Sequence, residues 1–260
     1  MRRYLHLSKT FLQFALISSM AYPADFLTWA AIDFVWAFVN IGFFRILLLN
    51  VPRISGWTFD ELVLPLGLFS LLNAFIWGTF YGNMKNLAKG VNRGDLDFIV
   101  IKPVSGQFFV SVKEVSVSLF PSVIVGIFLL IYGFYINHLN LISLLYLPVI
   151  IFSSLLIIYS LYFISVLPVF WTSRLSNISE LMPQLADTAR YPTQIFPVFM
   201  RFILTFIIPL GLLVIFPGQI LLSRFRPINL LYPLLAGIIL LYISHRLWRL
   251  ALRHYSSASS

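Results

Sequence analysis

The chain consists of long apolar runs separated by short polar breaks. A membrane helix needs about 20 consecutive apolar residues to cross a hydrocarbon core about 30 Å thick. Between Glu114 and Arg174 lie 59 residues without a single Asp, Glu, Lys or Arg, which is enough for two crossings. The polar cluster Asn-His-Leu-Asn at 137–140 divides this run. The pattern therefore predicts a helical hairpin.

The same test over the whole chain predicts six membrane spans and an all-α, polytopic membrane protein. It forms one transmembrane domain over residues 1–260. The first span is the least regular, because it contains Asp33 and Arg45. The predicted spans are 26–49, 62–84, 115–136, 141–170, 202–223 and 227–245.

Residues 1–22 have two readings. The start Met-Arg-Arg, a following apolar stretch and Ser19-Met20-Ala21 resemble a secretory signal with its cleavage site. Gln13 interrupts the apolar stretch, which favours a helix lying in the membrane interface and leading into the first span.

Composition excludes several classes of protein. Hydrophobic residues make up 60% of the chain and charged residues 10%, whereas a soluble domain has about 25% charged residues. A soluble globular protein, a disordered chain and a coiled coil are therefore excluded. A membrane β-barrel would need alternating strands, which the unbroken runs do not provide. Without cysteine there is no disulfide framework, iron–sulfur cluster or thiolate metal site.

The distribution of Lys and Arg predicts the orientation, because cytoplasmic loops carry an excess of these residues. With the N-terminus inside, only four cations fall outside: Arg45, Arg53, Arg224 and Arg226. Both termini are then cytoplasmic, and the net charge of +9 needs no nucleic-acid partner. The fourteen cytoplasmic cations are Arg2, Arg3, Lys9, Lys85, Lys89, Arg93, Lys102, Lys113, Arg174, Arg190, Arg201, Arg246, Arg249 and Arg253.

No catalytic pattern is present. The four histidines are scattered, and neither His-Glu-x-x-His nor Gly-x-Ser-x-Gly occurs. The phosphate-binding pattern Gly-x-x-x-x-Gly-Lys-Ser/Thr is also missing. We therefore expect no catalytic residue, no metal site and no cofactor bound by this chain.

Asp33 is the one acid deep in a predicted span. It is either a carboxylate near the inner interface paired with a Lys or Arg, or a residue that faces a cavity on a substrate path and favours cationic cargo. Ionisable groups deep in a membrane are usually functional. A secondary transporter or channel that works without ATP therefore stays open as an alternative.

The first long cytoplasmic segment predicts a short capped helix at about 94–103. Gly94 ends the preceding helix, Asp95 is a suitable N-cap, and Pro103 stops the helix at Lys102. Leu96, Ile99 and Val100 form its apolar side. An isolated helix of about two turns is unstable in water, so it packs either on the spans of its own chain or on a partner.

The second segment, 180–197, contains three prolines and is polar enough for the membrane interface. Its sequence Arg190-Tyr191-Pro192 combines a cation with an amphipathic ring. Such residues are typical of the headgroup region. We expect them at the cytoplasmic interface.

These segments resemble the permease subunits of the ABC type-2 exporter family, in its six-span subgroup of about 260 residues. The residues that carry the likeness are Gly94-Asp95-Leu96-Asp97, Lys102-Pro103-Val104-Ser105, Ala189-Arg190-Tyr191-Pro192 and Gly56-Trp57-Thr58.

The resemblance implies a coupling helix at 94–103 that contacts a separate ABC ATPase, which would bind ATP and Mg²⁺. It implies efflux of an unidentified, hydrophobic or cationic substrate across a bacterial inner membrane, without enzymatic activity of this chain. It also implies pairing with a second permease subunit, identical or different. The partner-binding residues would be Gly94, Asp95, Leu96, Asp97, Ile99, Lys102 and Pro103.

Overall fold

The structure is a computed structural model that describes residues 2–21, 23–117, 119–172 and 180–255. Arg174, one of the predicted cytoplasmic cations, lies outside these ranges. Within them the chain is helical and forms no β-strand beyond an isolated bridge between Ile54 and Trp57, so the all-α prediction is confirmed. The helices are α1 Arg2–Ala21, α2 Pro23–Asn50, α3 Phe59–Phe75, α4 Tyr81–Arg93, α5 Asp97–Val100, α6 Gly106–Val112, α7 Leu119–Ile136, α8 Leu147–Val166, α9 Leu181–Asp187, α10 Val198–Phe202, α11 Ile215–Leu221 and α12 Leu231–His254.

Four stretches of the described chain are long and apolar enough to cross a membrane. They are Pro23–Leu49, Phe59–Arg93, Leu141–Phe170 and Pro227–His254. The second of them joins α3 to α4 through a π-helical turn, Ile76–Phe80.

A fifth crossing depends on a bent pair of helical segments, Val198–Ile207 and Leu210–Leu221, which meet at 69°. Pro209 lies in the break, where it has no backbone N–H to donate to a continuing helix. The described residues thus contain four or five candidate crossings, and the prediction of six is met only in part.

The remaining predicted span, 115–136, is shorter than expected. Its apolar helix, Phe120–Ile136, has 17 residues and is about 26 Å long at 1.5 Å per residue. The preceding residues are held elsewhere: Glu114 N–H donates to Asn83 Oδ1 (3.0 Å), and Ser116 N–H donates to the carbonyl of Gly78 (2.7 Å). These bonds tie the chain to the π-helical turn, so the helix begins later.

Glycines let the central helices approach closely. A Cβ on Gly126 of α7 would lie 2.7 Å from Leu71 Cγ of α3, and one on Gly237 of α12 would lie 2.9 Å from Leu156 Cβ of α8. Membrane helices commonly pack through such small residues, because close backbone approach increases van der Waals contact. Among the described residues, α3–α7 and α8–α12 are the two most extensively packed helix pairs.

The predicted outer loops meet at one end of this bundle. Thr58 caps α3 reciprocally with Glu61: Thr58 N–H donates to Glu61 Oε2 (2.8 Å), and Thr58 Oγ1 accepts from Glu61 N–H. Arg224 pairs with Glu61 at 2.6 Å, and the Asn137 amide donates to the Asp60 carbonyl (2.7 Å). The chain turns between α7 and α8 at the expected polar cluster, but α7 packs mainly on α3 and α8 mainly on α12, so the turn is confirmed and the pairing of the two helices is not.

Helix α1 spans Arg2–Ala21, and its position in the membrane interface stays a prediction. It packs on α6 through two edge-to-face ring pairs, Tyr4 with Phe108 and Phe11 with Phe109. Phe14, Ile17 and Met20 of this helix are largely exposed. An amphipathic helix with an exposed apolar side is typical of a membrane interface.

Candidate coupling surface

A sharp turn follows α4 at Gly94, as the sequence predicts. Gly94 has a φ of 83° and is the C-cap of α4, a left-handed conformation that glycine adopts at little cost. The N–H of Asp95 then donates to the carbonyl of Gly90 at 2.9 Å. The chain thereby reverses direction and starts a new helical turn.

The new helix is shorter than predicted. Helix α5 spans Asp97–Val100, a single turn, instead of about two turns over 94–103, and its N-cap residue is Leu96, not Asp95. No side chain forms a cap hydrogen bond there. The reason is tertiary: Leu96 is fully buried, so the chain reaches into the core before the helix starts. The prediction of Asp95 as an N-cap is wrong.

The inner side of this segment rests on an aromatic cluster at the end of α12. Trp248 packs edge-to-face on Phe163 and Phe170, with centroids 5.5 and 5.8 Å apart. A Cβ on Gly106, the first residue of α6, would lie 3.3 Å from the Trp248 ring. The start of α6 therefore sits directly on α12.

Tyr255 closes the same cluster. Its ring lies 6.3 Å from that of Phe170. Burial raises the pKa of the Tyr255 hydroxyl, and the charge of nearby Asp97 raises it further. The end of α12 is thus adjacent to the turn that contains Asp95 and Asp97.

The outer side of the segment is exposed. Phe98 is 70% exposed and Ile101 is 78% exposed, whereas Leu96 is at 0%. Asp95, Asp97, Lys102 and Pro103 are also exposed, and Ile99 is half-buried. Large exposed apolar side chains with a charged rim are typical of interaction sites.

A buried polar network connects α6 to the spans. The Gln107 amide donates to Ser244 Oγ of α12 (3.1 Å) and to the Tyr159 hydroxyl of α8 (3.4 Å). Ser111 Oγ lies 2.9 Å from the same tyrosine oxygen, and His245 Nδ1 lies 2.9 Å from Gln107 Oε1. The helix α6, which follows residues 94–103, is therefore hydrogen-bonded to the two long helices α8 and α12.

The two predicted cytoplasmic segments meet at Glu180. Lys85 Nζ of α4 lies 2.8 Å from Glu180 Oε1, and the Tyr81 hydroxyl donates to Glu180 Oε2 (2.6 Å). The Lys85 and Tyr81 hydrogen bonds lower the pKa of Glu180. The carboxylate stays ionised and ties the second segment to α4.

Arg190 and Tyr191 contact the interior of the helix bundle. Arg190 Nη1 donates to Asn40 Oδ1 of α2, and its guanidinium lies 5.8 Å from the Phe69 ring of α3. Tyr191 packs against Phe44, with ring centroids 5.7 Å apart. These contacts lie along α2 and α3, and the position of Arg190, Tyr191 and Pro192 at the cytoplasmic interface stays a prediction. Pro192 is buried beside these residues.

Asp33 borders a small polar cavity between α2, α3 and α7. Ser122 Oγ of α7 donates to Asp33 Oδ2 at 2.8 Å. Asn40 and Asn73 line the same cavity, whose volume is about 50 Å³. Asp33 forms no ion pair with any described residue. Its carboxylate therefore accepts a hydrogen bond from a hydroxyl group. The expected pairing with a Lys or Arg is not found among the described residues.

Several of these residues give no signal in the sequence. Phe98 and Ile101 resemble any apolar residue of the segment, and Gln107 and Ser244 are 137 positions apart. Among the described residues no three His, Asp or Glu side chains come close enough to hold a metal ion.

The fold and this surface define a helical, multi-pass membrane protein with an exposed turn fixed to its spans. A sequence model of the family described as ABC-2 family transporter protein matches residues 34–259, and the chain belongs to that family. Its members are the membrane components of transporters and normally work with an ATPase subunit. The resemblance drawn from the motifs is confirmed. No curated protein and no solved structure matches significantly.

Proposed function

We propose that this chain is the permease subunit of an ATP-driven exporter and that residues 94–103 dock on a separate ATPase. The observation that carries the proposal is the exposure of Phe98 and Ile101 on a turn whose inner side is buried. Apolar side chains placed in this way are suitable anchors for a groove on a partner. Membership of the ABC-2 family supports the same partner. ATP and Mg²⁺ would bind to the ATPase.

The inner contacts suggest how movement of the turn reaches the spans. Leu96 is buried in the core, and Gly106 rests on Trp248 of α12. The Gln107 network joins α6 to α8 and α12. A displacement imposed on 94–103 by closing ATPase subunits would therefore be transmitted to α8 and α12, which would move between inward and outward access.

The exposed apolar side of α2 supports contact with lipid or with a second permease subunit. Trp29, Val35 and Phe38 are more than half exposed there, an arrangement suited to a bilayer or to a second copy. We propose a dimer of permeases, either homodimeric or heterodimeric. Both termini would be cytoplasmic and the location a bacterial inner membrane, as the distribution of cations predicts.

The direction of transport would be outward, and the cargo is proposed to be hydrophobic or cationic. The Asp33 carboxylate, which no cation pairs among the described residues, supports a cationic group. Its cavity of about 50 Å³ has room for only a few water molecules. It would have to widen during the transport cycle to admit a larger compound.

The polar groups at this depth also support a second candidate, a secondary transporter independent of ATP. Asp33 and Asn40 lie on α2, and Arg190 contacts both α2 and α3. Ionisable groups inside membrane bundles often serve ion-coupled transport. Reconstitution separates the two candidates. The permease alone, the permease with its ATPase, and the same pair with a non-hydrolysable ATP analogue are placed in vesicles.

Efflux of a lipophilic cationic dye is then followed with and without an ion gradient. Transport that requires both the ATPase and hydrolysable ATP supports the exporter. Transport by the permease alone, driven by the gradient, contradicts it and supports the second candidate.

A further inference from the structure

A basic cleft of about 400 Å³ lies between α4 and the coupling segment. Four cations line it, two on α4 and two beyond α5: Lys89, Arg93, Lys102 and Lys113. All four are exposed, and neither ion pair found among the described residues involves any of them. Two acids, Asp95 and Glu114, also line the cleft. The cations thus exceed the acids by two.

One of the two acids is already engaged by a hydrogen bond. The Asn86 amide donates to Glu114 Oε2, so that carboxylate is already hydrogen-bonded to α4. Lys102 Nζ lies 3.8 Å from the centroid of the Phe109 ring, and both residues line the cleft. The arrangement favours an anionic ligand, since cations without ion-pair partners break no existing ion pair when they bind an anion.

An apolar cavity of about 600 Å³ lies next to this cleft. Its walls are the inner side of α1, the π-helical turn and residues 113–116, with Phe11, Ala15 and Trp77 as apolar lining. Lys113 and Glu114 line both spaces, so the basic cleft and the apolar cavity are adjacent. A cavity of this volume is large enough for a sizeable apolar group.

We infer that the two spaces together form a binding site for an anionic phospholipid of the inner leaflet. Its phosphate lies among Lys89, Arg93 and Lys113, and an acyl chain enters the apolar cavity beneath α1. Basic pockets between helices on the cytoplasmic side suit such headgroups. Helix α1, with Phe14 and Ile17 exposed, lies where chains from the bilayer could enter. No step of the proposed transport cycle is needed for this binding.

Binding is measured on the purified full-length permease in a neutral detergent. Dioctanoyl phosphatidylglycerol is titrated in, and the midpoint of thermal unfolding is recorded. Three further titrations use dioctanoyl phosphatidylcholine, which has no net charge, dioctanoylglycerol, which has chains alone, and glycerol phosphate, which has the anion alone. We expect saturable stabilisation by phosphatidylglycerol and at least about tenfold weaker effects of the other three.

Two sets of variants locate the site. The double variant Lys89→Gln/Arg93→Gln removes two cations from the cleft, and we expect about tenfold or greater loss of apparent affinity, since each cation near a lipid surface contributes about 1 kcal/mol. The matched control Arg249→Gln/Arg253→Gln removes two exposed cations from the end of α12 and should change the affinity less than twofold.

Gly82→Leu tests the apolar cavity. An added Cβ at Gly82 meets only Glu114 Oε2, at 3.8 Å, so the backbone accepts a side chain at this position, which lines the cavity. We expect an unchanged unfolding midpoint without lipid and at least fivefold weaker phosphatidylglycerol binding.

Four results would overturn the inference. Equal stabilisation by phosphatidylcholine would show that charge is not recognised, and an equal response to glycerol phosphate would assign the cleft to free phosphate. Loss of binding in the α12 control would assign the effect to general charge. Stabilisation that depends on protein concentration instead of lipid concentration would assign it to a second copy of the chain.

Discussion

Leu96 and Phe98, two residues apart, lie on opposite sides of the same turn: the first is fully buried and the second is 70% exposed. The buried leucine fixes the turn to the core, and the exposed phenylalanine is available to a partner. Such a pair is what a coupling element requires, because it must be held firmly by one protein and contacted by another. The account therefore depends on the outer side of residues 94–103.

Charge reversal at Asp95 should weaken coupling. Asp95 is exposed beside Phe98, and a reversed rim charge lowers electrostatic complementarity with the partner. We expect Asp95→Lys to lower ATP-dependent efflux by about tenfold while the amount of inserted protein stays unchanged. The control Arg253→Glu changes the charge by the same amount at an exposed site on α12 and should have little effect. Normal efflux by Asp95→Lys would contradict the proposed role.

The Gln107 network should transmit coupling as well as stabilise the fold. Gln107→Leu removes the hydrogen bonds to the Ser244 and Tyr159 hydroxyls, which keep their bonds to the Leu241 carbonyl and to Ser111, and each lost bond costs about 0.5–1.5 kcal/mol. Unfolding measurements should show this loss, and ATPase stimulation by cargo should fall in the folded fraction.

A suitable control for Gln107 is Ser153→Ala. Ser153 is buried but bonds only the carbonyl of Ile150 in its own helix, so its loss should leave stimulation intact. Unchanged stimulation in a folded Gln107→Leu variant would show that the network is only structural.

Close packing of α3 on α7 should depend on Gly126. A Cβ there would lie 2.7 Å from Leu71 Cγ, so Gly126→Ala must displace a packed helix at a cost of about 1–3 kcal/mol. The matched variant Gly42→Ala adds a methyl group to α2 with no atom within 4 Å and should be neutral or stabilising by about 0.5–1 kcal/mol. The midpoints of thermal unfolding of the two variants are measured in detergent and compared. Equal midpoints would contradict the described approach of α3 and α7.

Replacement of Asp33 should change which compounds are exported. The carboxylate accepts a hydrogen bond from Ser122 and borders the polar cavity. We expect Asp33→Asn to reduce efflux of cationic compounds by about tenfold and to leave matched neutral compounds within twofold, whereas Asp33→Glu retains part of the cationic efflux. An equal effect on cationic and neutral compounds would remove Asp33 from the substrate path.

Local signals in the sequence predicted the parts of the fold that depend on neighbouring residues. The break at Gly94 and the hairpin turn after α7 follow from a left-handed glycine and a polar cluster, and both are found. The predicted length of α5 was wrong because the burial of Leu96 determines where the helix starts. That burial depends on the rest of the fold.

Contacts between distant residues explain the other differences. The late start of α7 results from Asn83, which binds the backbone of Glu114 from α4. Arg190 bonds Asn40 of α2, 150 positions away. A single sequence carries no sign of such pairs, and neither was predicted.

Site-specific cross-linking at position 98 tests the docking of an ATPase most directly. The chain has no cysteine, so Phe98→Cys introduces a single thiol that can carry a photoreactive group. We predict a cross-link to the ATPase subunit from this position and none from the control Leu181→Cys, whose side chain is also exposed. Absence of a cross-link at 98 from a complex that transports with ATP would contradict the account.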